Sequence, residues 1–216
     1  MINCFLVRED DGLTLTDTSL AGSASGIRKA ARTLGAPIRR IVLTHAHIDH
    51  VGSTDALIRE LTDIEFVVGQ RESRLLRQDF SLDASETGKK LLGFPGVKSP
   101  PTRVLMDGDL VGSLRAIFSP GHTPGHMAYL DLRDGSLIAG DAFTTQLGVT
   151  AAGAFSSTFH FLRYSPGIGI TPPKAQRNFA ISSLHASLWD MERQLRLRSQ
   201  PWIKPLNWPS DNVGKC

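Results

Sequence analysis

Cysteine is scarce: the 216-residue chain has two, Cys4 and Cys216, at opposite ends. Two thiols so placed exclude a disulfide framework and lack the close spacing of a zinc–thiolate site. Cys4 reads as a small core residue and Cys216 as a tail residue. No apolar run approaches the ~20 residues that cross a bilayer, so no membrane partner is expected. The opening Met-Ile-Asn-Cys-Phe-Leu-Val-Arg lacks the basic-then-apolar layout of a secretory leader and reads as the start of a strand, which makes a cytoplasmic location the expectation. Charge of one sign is not in excess, with 24 Lys and Arg against 21 Asp and Glu. The pI of 9.1 misleads. Residues 190–216 hold Arg193, Arg196, Arg198, Lys204 and Lys215 against Asp190, Glu192 and Asp211, which leaves +2 of the total +3 there. The rest is close to neutral, so no nucleic-acid partner is expected. Internal repeats and low-complexity segments are absent.

What is present suits one full-sized globular domain, with 41% hydrophobic and 21% charged residues. Residues 4–7 and 13–16 are β-prone and flank Glu9-Asp10-Asp11-Gly12, a hairpin signal. Residues 24–34 have helical spacing and close at Gly35-Ala36-Pro37. Residues 40–44 contain Ile41-Val42-Leu43, a buried strand that runs straight into a histidine cluster. Helical spacing returns at 54–61 and 70–78, with a strand at 64–68 between them. Residues 80–101, rich in Gly and Pro, read as a long loop. Strands follow at 103–105, 114–118, 127–132 and 136–139. The coarse expectation is two packed sheets with helices outside.

Five of the seven histidines fall in two short motifs, Thr44-His45-Ala46-His47-Ile48-Asp49-His50 and Pro120-Gly121-His122-Thr123-Pro124-Gly125-His126. Gly140-Asp141 follows the apolar run Leu137-Ile138-Ala139. Imidazole nitrogen and carboxylate oxygen suit borderline divalent cations, zinc above all. His45 and His47 stand two apart where a strand ends, so in extended backbone their rings point the same way. Asp49 and His50 come after the chain has left the strand, where a turn can swing them toward a second position. Gly52 then allows a tight turn into the next helix. A histidine-rich surface loop is the plain alternative. It does not explain why a strand delivers the motif, a helix follows it, and a Gly-His and a Gly-Asp follow two later strands.

From about residue 3 to 143, this order of His-x-His-x-Asp-His, Gly-His-Thr-Pro-Gly-His and Gly-Asp resembles the metallo-β-lactamase superfamily. The resemblance implies an α+β fold, a four-layer αββα sandwich with the site at one edge of the paired sheets. This version reads as shortened at its N-terminus and atypical at its C-terminus. Residues 1–191 are taken as the metallo-β-lactamase-like domain and 192–216 as an atypical tail. The resemblance also implies ligands: His45, His47 and His122 for a first metal, Asp49 and His50 for a second, and Asp141 bridging both. Two Zn2+ ions are expected, with iron or manganese as alternative metals. His126 matches a residue that braces the ligand loop by hydrogen bonds to backbone. Asp17 stands where the family commonly has Asp-Thr-Gly, a buried carboxylate bracing the metal loop. Ser19 replaces that glycine and would strain a turn that needs positive φ.

The family normally brings one more histidine to the second metal near the C-terminus, after a helix for which residues 174–191 are suited. No histidine follows His185, so the second metal is expected to bind more weakly. His160 lies in a stretch that often covers the active site in the family, and His185 reads as a packing residue. Without the family's usual strands before the first hairpin, an open sheet edge would invite pairing and a homodimer. Phe143, Phe155, Phe159, Phe161 and Tyr164 would suit an acyl or aromatic group, or simply pack under a long loop. The expected function is metal-dependent hydrolysis of a small-molecule carboxylic ester, lactone or thioester by water activated on the metals, with Asp49 as the catalytic proton carrier. The alternatives are a β-lactamase or phosphodiesterase at the same site, an iron-dependent oxidoreductase, or a catalytically impaired or non-catalytic member.

Overall fold

The chain enters the fold through the expected hairpin, in which β1 (Phe5–Glu9) and β2 (Gly12–Thr16) pair antiparallel with Glu9 opposite Gly12. The computed structural model describes residues 3–84, 86, 91, 94–144, 150–151 and 213–215. After the hairpin comes α1 (Ala24–Thr33), which buries Ala24, Ile27 and Ala31, residues on one helical face. It stops before Gly35, whose φ of 68° terminates the helix in a conformation other residues resist. Then follow β3 (Ile38–Leu43), the short α2 (Ile48–Val51), α3 (Thr54–Glu60), β4 (Glu65–Gly69), α4 (Gln70–Leu76) and β5 (Arg103–Leu105). β2, β3, β4 and β5 lie parallel and side by side, each crossing back over through helices.

Alternate residues of these strands face opposite layers. Leu13, Leu15, Ile41, Leu43, Phe66 and Val68 pack with Ile27, Leu57 and Leu75 of the helices. Val7, Val42, Val67 and Leu105 point the other way, against Val111, Leu114, Ala116, Met127, Tyr129 and Ile138. Those partners belong to an antiparallel sheet of β6 (Leu110–Val111), β7 (Leu114–Phe118), β8 (Met127–Asp131) and β9 (Leu137–Ile138). Burial on both faces explains why β3 and β4 carry the unbroken apolar runs Ile41-Val42-Leu43 and Phe66-Val67-Val68 rather than alternating ones. The described residues therefore stack helices, sheet and sheet. The helix expected at 174–191 lies outside them, as do His160, His185, Phe155, Phe159, Phe161, Tyr164 and Cys216. Among the described residues, no helix is long and apolar enough to cross a membrane.

Three expectations change. A two-residue strand, β6, follows the Asp107-Gly108-Asp109 turn, where none was expected. The strand expected at 136–139 shrinks to Leu137–Ile138, because the chain turns at Gly140. The edge beside β1 is not open along its length. The small ladder of β10 (Phe143–Thr144) and β11 (Thr150–Ala151) stands apart, but β12 (Val213–Lys215) pairs antiparallel with β1 at Phe5, Leu6 and Val7. Three residues of the stretch taken as a tail thus complete a six-stranded sheet, since an edge strand's unpaired N–H and C=O groups accept a partner strand.

Candidate metal centre

The site forms at the C-terminal ends of the parallel strands, where open sheets leave a crevice. β3 ends at Leu43, two residues before His45, so the chain has already left the sheet when the first candidate ligand arrives. His47 precedes α2 in extended backbone, with φ −72° and ψ 154°. Asp49 and His50 ride on α2 itself, so the turn expected after the strand is a single turn of helix. His122 comes from the loop between β7 and β8, and Asp141 from the 3-10 turn Gly140–Ala142 after β9.

These residues meet. One ligand atom from each of His45, His47 and His122 lies within 4.8 Å of the others, and the same holds for His45, His50 and Asp141. His47 Nδ1 and His122 Nε2 are 2.9 Å apart. His45 Nδ1 lies 3.0 Å from the Thr44 hydroxyl, while its Nε2 is buried with no hydrogen-bond partner. Two nitrogens could share one proton, and His45 Nε2, with Nδ1 engaged by Thr44, is left with a lone pair free for an electron-pair acceptor. A divalent cation is such an acceptor, and the donor set fits one. Asp141 spans the cluster, with one oxygen 3.4 Å from His50 Nε2 and the other 3.4 Å from His122 Nε2. Asp49 is more peripheral. Its carboxylate lies 3.8 Å from His50 Nε2 and belongs to neither tight group.

The electrostatics agree. Burial, then the charges of neighbouring histidines, holds His45 well below the usual imidazole range. Burial and His122 bring His47 down to about 4, and burial likewise lowers His122. These three imidazoles are neutral at pH 7, the form that binds metal. His50 behaves oppositely: burial would lower it, but Asp17 and Asp141 outweigh that and raise it to about 10. Asp141, which burial would raise, is held at about 2 by His50's hydrogen bond and charge. A positive charge is thus stabilised on His50 between Asp17 and Asp141.

Supporting side chains fix these candidate ligands. Buried Asp17 accepts hydrogen bonds from Thr44 N, the Thr44 hydroxyl and His50 Nδ1, each at 2.8 Å. That leaves His50 Nε2 facing the site, the arrangement by which a carboxylate orients a metal-binding imidazole. The turn does need positive φ: Asp17 sits at 60° and Ser19 at 57°. His126 stacks on His45 at 5.1 Å, and its Nδ1 pairs with the Ser119 hydroxyl at 2.8 Å. The expected brace is there, with a side-chain rather than a backbone partner. Gly140 is required twice over, by φ +51° and because a Cβ would meet His126 Nε2 and Thr44 Cβ at 2.8 Å.

Sequence reasoning missed three contributors. Thr44 bonds Asp17 and approaches His45. Phe94 stacks on His47, with ring centroids 4.9 Å apart and planes at 25°. Glu72, in the first turn of α4, is fully buried and reaches both histidine loops. Phe94 fell in a stretch read only as loop, and Glu72 carries no motif; its neighbours in space come from segments 26 to 53 residues away.

Comparison with known proteins follows the same line. The family model described as the metallo-beta-lactamase superfamily matches residues 1–165. The chain is 43% identical over 162 residues to the uncharacterized protein YobT of Bacillus subtilis, covering 74% of this chain and 70% of YobT. It is 33% identical over 145 residues to the probable metallo-hydrolase YqgX of the same organism, covering 64% of each. Hydroxyacylglutathione hydrolase of Legionella pneumophila is 28% identical over 122 residues, which cover 56% of this chain and 39% of that enzyme. Among solved structures, TTHA1623 in a di-iron-bound form superposes with a TM-score of 0.57 at 24% identity, over 92% of this chain and 81% of that one, a likeness of fold. The aligned part is thus about two thirds of YqgX and well under half of the Legionella hydrolase. With the histidine and aspartate cluster assembled on that fold, the chain belongs to the metallo-beta-lactamase superfamily.

Proposed function

We propose that this protein is a metal-dependent hydrolase of carboxylic thioesters, with esters and lactones as the neighbouring class, and that it works with zinc in two sites of unequal affinity. The observation that carries the reading is the meeting of His45, His47 and His122 around the orphaned His45 Nε2, with Asp141 reaching across to His50. When bound, divalent cations would supply Lewis acidity and lower the pKa of a bound water. His45, His47 and His122 would hold the first cation with lone pairs already free of protons. Asp49 and His50 would hold the second, with Asp141 shared. His50 must release its Nε2 proton to do so, while Asp17 keeps the Nδ1 hydrogen, so loading this site releases a proton. Asp49, partly exposed beside His50, can take a proton from the attacking water and hand it to the leaving group.

The thioester preference rests on two supports. One is the similarity to hydroxyacylglutathione hydrolases, whose name describes a thioester substrate. The other is chemical: a thiol, with a pKa of about 8.5, leaves as its anion more readily than an alcohol does, which suits a site whose proposed proton carrier is one carboxylate. Exposed Ile48, between His47 and Asp49 in the chain, offers apolar surface to an acyl group.

Elemental analysis of the purified protein, with a panel of thioester, lactone, ester, β-lactam and phosphodiester substrates, tests the reading. Bound zinc and thioester turnover are expected. His47→Ala and Asp141→Ala should abolish turnover and lower metal content, and Asp49→Asn should cut kcat by about 10²–10⁴-fold. Full activity in metal-free protein would overturn the metal role, and turnover confined to phosphodiesters would overturn the substrate class.

A further inference from the structure

We propose that Glu72 is a positioning residue of the metal centre, the buried carboxylate that sets the distance between the His45–His47 arm and the His122 arm. The inference rests on the metal-binding reading above. Glu72 has no exposed surface. One oxygen accepts the backbone N–H of Ala46, the residue between two histidine ligands, at 2.8 Å. The other accepts the Thr123 hydroxyl at 2.6 Å and the Gly125 N–H at 2.9 Å, just after the third ligand, His122. Met127 N also joins the arms by donating to Thr44 O at 2.8 Å, but that bond lies at their base. Glu72 ties them nearer the ligands.

The geometry calls for a carboxyl group, with an acceptor oxygen on each side. Two of the three partners are backbone N–H groups, which can only donate, and they sit on different oxygens. Ala46 has left β3 and is fully buried, so without Glu72 its N–H would lack a partner. Gly125 has no Cβ because one there would meet Glu72 N at 2.7 Å and Glu72 Oε1 at 2.9 Å, so glycine lets this loop close onto the carboxylate. Burial pushes the Glu72 carboxyl up to about 7 even against the pull of Thr123, Ala46, Gly125 and the nearby Arg71. The fold holds the group there against a desolvation penalty. Of the first metal's three ligands, two stand on one arm and one on the other, so the join between arms fixes the ligand triangle.

The test is Glu72→Gln, which keeps the shape but turns an NH2 toward one of the two backbone donors. Zinc affinity is read by competition with a chromophoric chelator, and site geometry by the visible spectrum of the cobalt(II) form. We expect zinc affinity to fall about 10–100-fold and the cobalt spectrum to change. Thr123→Val, which deletes one of the three bonds, should shift both in the same direction by less. Ile27→Ala, in the α1 core, should lower Tm without moving either signal. If Glu72→Gln does not fold, Thr123→Val decides alone. Wild-type affinity and spectrum in the variants would refute positioning by Glu72 and leave the metal site standing. A wild-type protein that binds no zinc or cobalt would refute the metal reading itself.

Discussion

At the scale of single residues, Thr44 and Ser19 show how much support a dense ligand motif needs. Thr44 is fully buried, gives both its N–H and its hydroxyl hydrogen to Asp17, and so holds the chain where it leaves β3. Ser19 is a concession in the same turn. A left-handed non-glycine residue costs about 1–2 kcal/mol, partly offset because glycine has more freedom to lose on folding. Ser19→Gly should therefore raise stability by about 0.5–1 kcal/mol, seen as a higher urea midpoint at unchanged m-value. A lower midpoint would show that the serine side chain contributes more than its backbone costs. The departure at position 19 was visible in the sequence, because a glycine was the residue to expect there. Glu72 was not, because nothing local marks an acid on a short helix as the partner of Ala46 and Gly125.

At the scale of elements, the joint between α2 and α3 decides where Asp49 and His50 sit. Gly52 N donates to Ser19 O, and Thr18 N to His50 O, so this joint is pinned to the loop after β2. Gly52 has an ordinary helical backbone, with φ −59°, but a Cβ there would strike the backbone of Ala21, Leu20 C at 2.6 Å and Ser19 O at 2.8 Å. Gly52→Ala should cost about 1–3 kcal/mol or more, because backbone cannot swing aside as a side chain can. Metal content should fall with it; an alanine variant of unchanged stability and metal content would contradict the close approach. Gly52 was legible as a turn into the next helix, whereas its true constraint is a neighbour more than 30 residues away. The long apolar strands were legible because both faces are buried. α2 and β6 were not, since four and two residues are too few to show a period.

At the scale of the molecule, a pocket of buried neutral histidines makes the metal-stripped protein sensitive to acid. Burial holds His126 down to about 3 in the folded state, against 6.5 unfolded. As pH falls below 6.5, the unfolded chain takes up a proton that folded His126 refuses. Stability then falls by about 1.4 kcal/mol per pH unit from this group until its folded pKa is reached. His45, His47 and His122 act in the same direction. His50 acts on the other side: raised to about 10, it contributes stability that is fully present below 6.5 and lost as pH climbs through 10. Urea unfolding of chelator-treated protein across pH checks this, and His126→Gln should flatten the acid limb. An equal acid slope in that variant would remove His126 as its source. Added metal should raise Tm, since a ligand that prefers the folded state stabilises it by about 2.7 kcal/mol at a hundredfold excess over Kd.

The sequence by itself determined the chemistry on offer: which side chains can ligate a cation, their order along the chain, and the longer strands and helices that flank them. It could do so because ligand type is a property of single residues, and helix or strand period shows within a dozen of them. Only the tertiary structure decided which nitrogen and oxygen atoms converge, that Asp141 reaches both His50 and His122 while Asp49 stays outside the two tight groups, and that β12 lines the edge of β1. Those outcomes depend on contacts between segments tens to hundreds of residues apart, and local pattern carries no record of which distant segment will supply the partner.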